Sequence, residues 1–317
     1  MNQLGAAMKF VSANKLWLLL YVCCITACSV SRRHDTLFID KESYCNPPVA
    51  STGVRYAISA NTDSVLAANL ALSSRFSVQS ILLIHALGLL DEVKQVTLIK
   101  NDSLNSITHL QLMQRISSRV LLVSSEINAI AAELDCEGER LDQIAKYVDD
   151  LNAKHNTRFT VASIVVGALS GVAGAFITQS GWNKGVAIGA GAAGIGLGLA
   201  TLNPKGKKVE LLHQRNLLRN VWLQQNNNEF SPFLWFMLSE KRISNTAASS
   251  LLSNLRHRWI RYQFDGDSSA AMKSVNFTGG GIYNAAELHN RAEMINQLQA
   301  EIRSIEQQVN LFLRELD

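Results

Sequence analysis

From Phe159 to Leu202 the chain carries a single charge, Lys184, and is studded with glycine and alanine. Few architectures accept such a stretch. Phe159 to Thr178 reads FTVASIVVGALSGVAGAFIT, 20 residues without a charge. As a helix rising ~1.5 Å per residue it would be about 30 Å long, the thickness of a bilayer's hydrocarbon core. Val186 to Leu202, with 17 residues, sits at the short end of the spanning range. Small residues recur every four positions: Gly167, Gly171 and Ala175 in the first segment, Gly185, Gly189 and Ala193 in the second, with Ala190, Gly194 and Gly198 beside them. Stripes without bulky side chains let two helix backbones approach, and in lipid that close packing drives association. The turn carries Trp182 and Lys184, an interfacial aromatic and a cation able to snorkel. The expectation is a glycine-rich transmembrane helical hairpin packed through these small residues. The alternative is the same hairpin buried in a soluble bundle, since glycine and alanine are only weakly hydrophobic.

Gly189-Ala190-Gly191-Ala192-Ala193-Gly194 matches the spacing of a dinucleotide-binding loop. That loop needs a strand before it, a helix and strand after it, and an acidic residue about 20 positions on. Here Asn203-Pro204-Lys205-Gly206-Lys207-Lys208 follows instead, and no apolar strand succeeds Glu210. No cofactor is expected.

The N-terminus points to export. Lys9 and Lys15 precede the apolar run Leu16–Val22, and Ile25-Thr26-Ala27-Cys28 closes the segment. A basic start, a short apolar middle and small residues before a cleavage point make a secretory signal over residues 1–27. Ile25–Cys28 resembles the lipobox of bacterial lipoproteins. The resemblance implies cleavage after Ala27 and lipidation of Cys28, a palmitate-type acylation. Ser29, non-acidic, resembles the pattern of lipoproteins sent to the outer membrane. Of the five cysteines, Cys23 and Cys24 would leave with the signal and Cys28 would be acylated, leaving Cys45 and Cys136. In an oxidising compartment that pair suggests one disulfide, with two buried thiols as the alternative. Removing Lys9 and Lys15 takes the formal charge from +4 to +2. No basic stripe interleaved with aromatics occurs, which argues against nucleic acid.

Two segments repeat every seven residues. Met113, Val120, Ile127, Leu134, Leu141 and Val148 occupy one position of the first, and Ile116, Val123, Ile130, Glu137, Ile144 and Leu151 the other. Eleven of these twelve are apolar, so a long helix in a coiled-coil-like bundle is expected, with a bend or disulfide at Glu137 beside Gly138. The second repeat runs through Leu288, Ile295, Leu298, Ile302, Ile305, Val309, Phe312 and Leu316, started by Asn284 and Glu287 at capping spacing. It is the natural partner of the first, packed antiparallel or across subunits. The fold class expected is all-α: an elongated helical bundle with the glycine-rich hairpin at one end. In order, a tether covers 28–62, a helical bundle with the long heptad helix 63–158, the hairpin 159–202, a return helix 203–228, an aromatic-rich helical segment 229–278, and the last heptad helix 279–317. Within 229–278, Phe230–Met237 and the region of Trp259 and Tyr262 read either as a lipid or partner surface or as a second small core. Gly279-Gly280-Gly281 reads as a flexible joint.

Catalytic spacing is missing: there is no C-x-x-C, no H-E-x-x-H and no G-x-S-x-G. His109, His155, His213, His257 and His289 read as solvated helical positions, and His85 as a hydrogen-bonded interior side chain. No enzymatic role, metal or small-molecule substrate is expected. Lipobox and small-residue hairpin together resemble the glycine-zipper two-helix lipoproteins of bacterial envelopes, over Ile25–Cys28 and Phe159–Leu202 only. That resemblance implies oligomerisation in a membrane and a structural or scaffold role in the envelope; the long heptad helices and the aromatic segment depart from those small proteins. The alternatives are an α-helical pore-former, whose layout also resembles a hairpin on a bundle, and a docking subunit of an envelope machine. One conflict stands within the sequence. Lys154, Arg158, Lys205, Lys207 and Lys208 flank the hairpin, which by the positive-inside rule would face the cytoplasm, whereas a lipoprotein's body faces outward.

Overall fold

The computed structural model describes residues 36–37, 39, 41–47, 58–99, 106–176 and 206–317, with the side chains of 36, 106, 166 and 169–176 left aside. The chain divides at Thr36, and the unit Leu37–Asp317 contains everything that follows.

A single helix, α4 (Ser106–Phe176), runs for 71 residues, about 107 Å. Its heptad stripe is the reason it needs a partner, and that partner is α9 (Ala285–Leu316). Ser124 pairs with Glu306, Gln299 with Ala131 and Asp135, and His289 with Asp142, so rising numbers on one helix meet falling numbers on the other. The pair is antiparallel. Ile116, Ile127, Leu141 and Val148 are fully covered, as are Leu288, Leu298, Ile302 and Ile305. Asn284 starts α9 with a reciprocal capping box: its side chain accepts from Glu287 N–H while the Glu287 carboxylate accepts from Asn284 N–H. Of the two readings at Glu137, a bend or the disulfide, the disulfide is present at the neighbouring Cys136. The helix is continuous through Glu137, and Gly138 provides clearance, because a Cβ there would stand 2.5 Å from Asn296 Oδ1.

Shorter helices pack on the pair and on one another. These are α1 (Thr62–Ala68), α2 (Val78–Leu87) and α3 (Leu90–Leu98), then α5 (Leu217–Leu223), α6 (Pro232–Ser239), α7 (Leu251–Gln263) and α8 (Ser268–Met272). Helix α2 is the dense apolar run, and Ile81 to Ile84 are wholly buried in it. Ser77 caps its start, and Gly88 ends it in the left-handed region at φ 66°. The aromatic block is interior: Phe230, Phe233, Leu234 and Met237 are buried, Trp222 stacks on Phe277 at 4.5 Å, and Trp259 is fully covered. The block belongs to the hydrophobic cluster that also takes in α2 and α9, so it is neither a lipid or partner surface nor a separate second core; Tyr262 is 65% exposed.

Two expectations fail at the sheet. The return helix over 203–228 begins instead as strand β2 (Lys208–Leu212), and becomes helical only at α5. The supposed joint at Gly279–Gly281 enters strand β3 (Gly280–Tyr283), which pairs antiparallel with β2 in the register Val209 to Tyr283 and Leu212 to Gly280. With β1 (Thr36–Leu37) the sheet order is β1-β2-β3. Gly280 is there for contact, not looseness: at φ +130° a Cβ would lie 2.4 Å from the Leu211 carbonyl oxygen. The alternation of buried Val209 and Leu211 with half-exposed Lys208 and Glu210 is the period of a strand. The tether also needs correction, since residues 41–47 dock on the body rather than hang from it.

Candidate functional site

The antiparallel pair is uneven in length, because α9 starts where α4 still has far to go. Asn152 marks the level at which the cover ends. Its side-chain oxygen accepts from Lys207 N–H at 2.8 Å, where the chain comes back to enter β2. From Ala153 to Arg158 every side chain of α4 is exposed. Beyond them Val161, Ile164 and Val165 stand 52%, 65% and 49% exposed. A Cβ added to Gly167 would touch nothing within 4 Å. The helix continues to Phe176, so about 36 Å of it extends past Asn152. Val161, Ile164 and Val165, at three- and four-residue spacing, share one face of the helix, and no described element covers it. Among the described residues no helix is long and apolar enough to cross a membrane. The apolar run itself continues past Phe176, outside them.

A second neighbourhood lies on the flank of the paired region, where the strap 41–47 crosses α4. A disulfide joins Cys45 to Cys136, with Cα atoms 5.7 Å apart. Around it the strap is tied by polar contacts. Lys41 meets Glu210 at 2.5 Å, Ser43 Oγ donates to Glu137 at 2.5 Å, and Arg140 donates to the Glu42 carbonyl at 3.0 Å. Arg140 also donates to Glu137, which explains how a carboxylate is tolerated at a heptad position. Next to it Arg215 bridges Glu133 at 2.6 Å and Glu229 at 2.8 Å. Burial pushes the Glu133 carboxyl up to about 7; Arg215 opposes the shift, while Glu229 and Glu137 add to it. Arg291 is deeply buried and donates to the Asn276 carbonyl at 2.7 Å and to Asn216 Oδ1 at 3.3 Å. Its guanidinium is pushed down from its usual range, by burial first.

His213 belongs to this cluster, not to a solvated helix. Burial, with Arg291 and Arg140 nearby, holds its imidazole down to about 2, so it is neutral at any physiological pH. Tyr283 spends its hydroxyl proton on the Val275 carbonyl at 3.0 Å, leaving its oxygen to accept from His213 Nε2–H at 2.7 Å. Burial pushes the Tyr283 phenol up to about 12. Both rings are thereby committed to internal partners. The cavity between Glu133, Glu137, His213, Arg215 and Arg291 is about 30 Å³, room for a water molecule and too small for an organic substrate. Among the described residues no group of three or more His, Cys, Asp or Glu could hold a metal. What the cluster does chemically is to hold the strap, the sheet and both long helices together.

Of the residues singled out by sequence, Cys45 and Cys136 are brought together, and Gly167 is placed on the uncovered helix end. Gly171 and Ala175 fall within α4, but their side-chain surroundings are outside the description. Cys28, Trp182, Lys184, Gly185, Gly189, Ala193, Gly194 and Gly198 lie outside the described residues. Sequence reasoning missed Arg291, Arg140 and Arg215. An arginine at a position between two apolar heptad residues, as Arg291 is between Leu288 and Ile295, is the signal that could have flagged the first.

Fold and site together define a helical protein built on one antiparallel helix pair, one member of which outruns the other into an apolar, uncovered end. Comparison with protein-family models, with curated proteins and with solved structures finds no match.

Proposed function

We propose that this is a lipid-anchored scaffold protein of the bacterial envelope that inserts a glycine-rich helical hairpin into a bilayer and assembles there with further copies of itself. It is held by acylated Cys28 at the periplasmic face of the outer membrane, and its paired helices form the exposed body. The observation that carries this reading is the uncovered end of α4. Had the apolar segment been interior to a soluble bundle, Val161, Ile164 and Val165 would be covered as Ile127 and Leu141 are; they stand about half exposed or more. The small-residue stripes of the sequence supply the packing surface for association within lipid.

The test is detergent extraction of the full chain, followed by size measurement and conductance in liposomes. A discrete oligomer that does not conduct fits the scaffold; a conducting ring would replace it with the pore-former. Purified chain that stays monomeric and ignores vesicles would end both. Compartment is tested separately by labelling Ser180→Cys and Thr157→Cys variants in intact cells, where cytoplasm-only access at position 157 would overturn export.

A further inference from the structure

The basic residues that flank the apolar segment conflict with an exported body if they are read as a topology signal. The structure gives them a location. Lys154 and Arg158 lie one helical turn apart on the same side of α4, both exposed, directly before Val161. The hydrogen bond from Lys207 N–H to Asn152 Oδ1 brings the start of β2, with Lys207 and Lys208, to the same end of the bundle. Lys205 precedes them in sequence, outside the described residues. The acidic side chains nearest along the helix are Asp149 and Asp150. Asp149 is engaged by His289 at 3.0 Å; Asp150 stands four residues before Lys154, within its reach, while both aspartates lie about 12–14 Å below Arg158 along the axis, beyond a Debye length at physiological salt.

We propose that this collar binds the headgroups of anionic phospholipids and fixes the depth to which the apolar end enters the bilayer. The inference rests on the insertion proposed above and names the lipid class it requires. The order along α4 is what a water–lipid boundary demands. Covered stripe comes first, then six exposed residues containing two cations, then uncovered aliphatic side chains. Lysine and arginine stems can lie along the apolar surface while their heads stay at phosphate level. A headgroup phosphate supplies the counter-charge, and each cation near an anionic surface strengthens binding severalfold. The alternative use of the same residues, as ordinary solvated charge, predicts no dependence on headgroup.

The experiment is flotation of the full-length, acylated chain with preformed vesicles of phosphatidylcholine alone or with phosphatidylglycerol added, at constant ionic strength. The expected result is binding to both, tighter to the anionic vesicles. A Lys154→Gln/Arg158→Gln variant should lose ~30-fold of the affinity for anionic vesicles and little for neutral ones. Both side chains are exposed, so thermal unfolding of the variant should match the parent and exclude misfolding as the cause. Equal binding of the parent to neutral and anionic vesicles overturns the collar and leaves insertion standing. Failure to bind either vesicle overturns insertion and the collar with it. Loss of binding in the double variant that is equal for both vesicle types also overturns the collar, since headgroup charge would then have no part.

Discussion

Between Leu112 and Val148, helix α4 buries one side chain in each turn against a partner; between Val161 and Val165 it holds three aliphatic side chains in the open. The two stretches belong to one uninterrupted helix, and both are apolar. What separates them is the partner. In the first a seven-residue stripe lies against α9, with Asp142 and Lys146 among the polar positions and Leu121, Leu122 and Tyr147 left exposed beside it. In the second Val161, Ile164 and Val165 share one face, and no helix among the described residues covers it.

The difference can be broken by substitution, and the largest effect is expected in the covered half. Replacing Cys45 and Cys136 by serine opens a loop with a sequence separation of 91. In the chain-entropy account that costs about 4–5 kcal/mol, read as a lower urea midpoint with a steeper slope, since the unfolded chain expands once the cross-link is gone. A midpoint unmoved would mean that the strap is held by its polar contacts alone. Next, Ile127→Ala in the seam should cost about 2–4 kcal/mol through lost burial and the cavity left behind. Ile164→Ala, at the uncovered end, should leave stability within about 0.5 kcal/mol. Equal losses at the two positions would show that the end is covered after all, and would remove the contrast.

Titration sharpens the same comparison, because the buried charge is confined to the covered half. Glu133, raised to about 7, keeps its proton in the folded protein where the unfolded chain, near 4.5, has released it. Its contribution therefore declines as pH rises from about 4.5 to 7. His213, held down to about 2, stays neutral when folded, while the unfolded chain takes up a proton below 6.5. Its contribution is lost as pH falls below 6.5. The two offset each other between those limits; below 4.5 His213 acts without that offset, at about 1.4 kcal/mol per pH unit. In urea titrations across pH, His213→Gln should flatten the acid limb, and Glu133→Gln should bring its onset up towards 6.5. An unchanged limb in the histidine variant would mean that His213 protonates without cost. Asn284→Ala should cost about 1 kcal/mol by removing the capping box where the cover begins; a change in amide exchange confined to the first turn of α9 would check its origin.

The long helices were legible because their information is local: a seven-residue repeat and a capping pair. The strands were not. Val209-Glu210-Leu211-Leu212 is too short to distinguish a strand from a helical turn, and its partner lies some seventy residues later at a triplet of glycines. Only the approach of Leu211 to Gly280 explains why those glycines are there. His213 and Arg291 failed for a related reason: their environment is assembled from α4, α9 and the sheet, and no window of sequence contains it. The pairing of Cys45 with Cys136 followed from elimination among five cysteines, whereas the charged ties around it did not.

Gln299 donates from within the seam to the Ala131 carbonyl at 3.2 Å and to Asp135 at 2.9 Å. Sliding one helix past the other by a heptad would strand that amide against hydrocarbon, so the pair behaves as a clamp with a single notch. The overhang of α4 is then a set dimension of the molecule, like the depth stop on a drill, and any change in how far it reaches must come from moving the whole body.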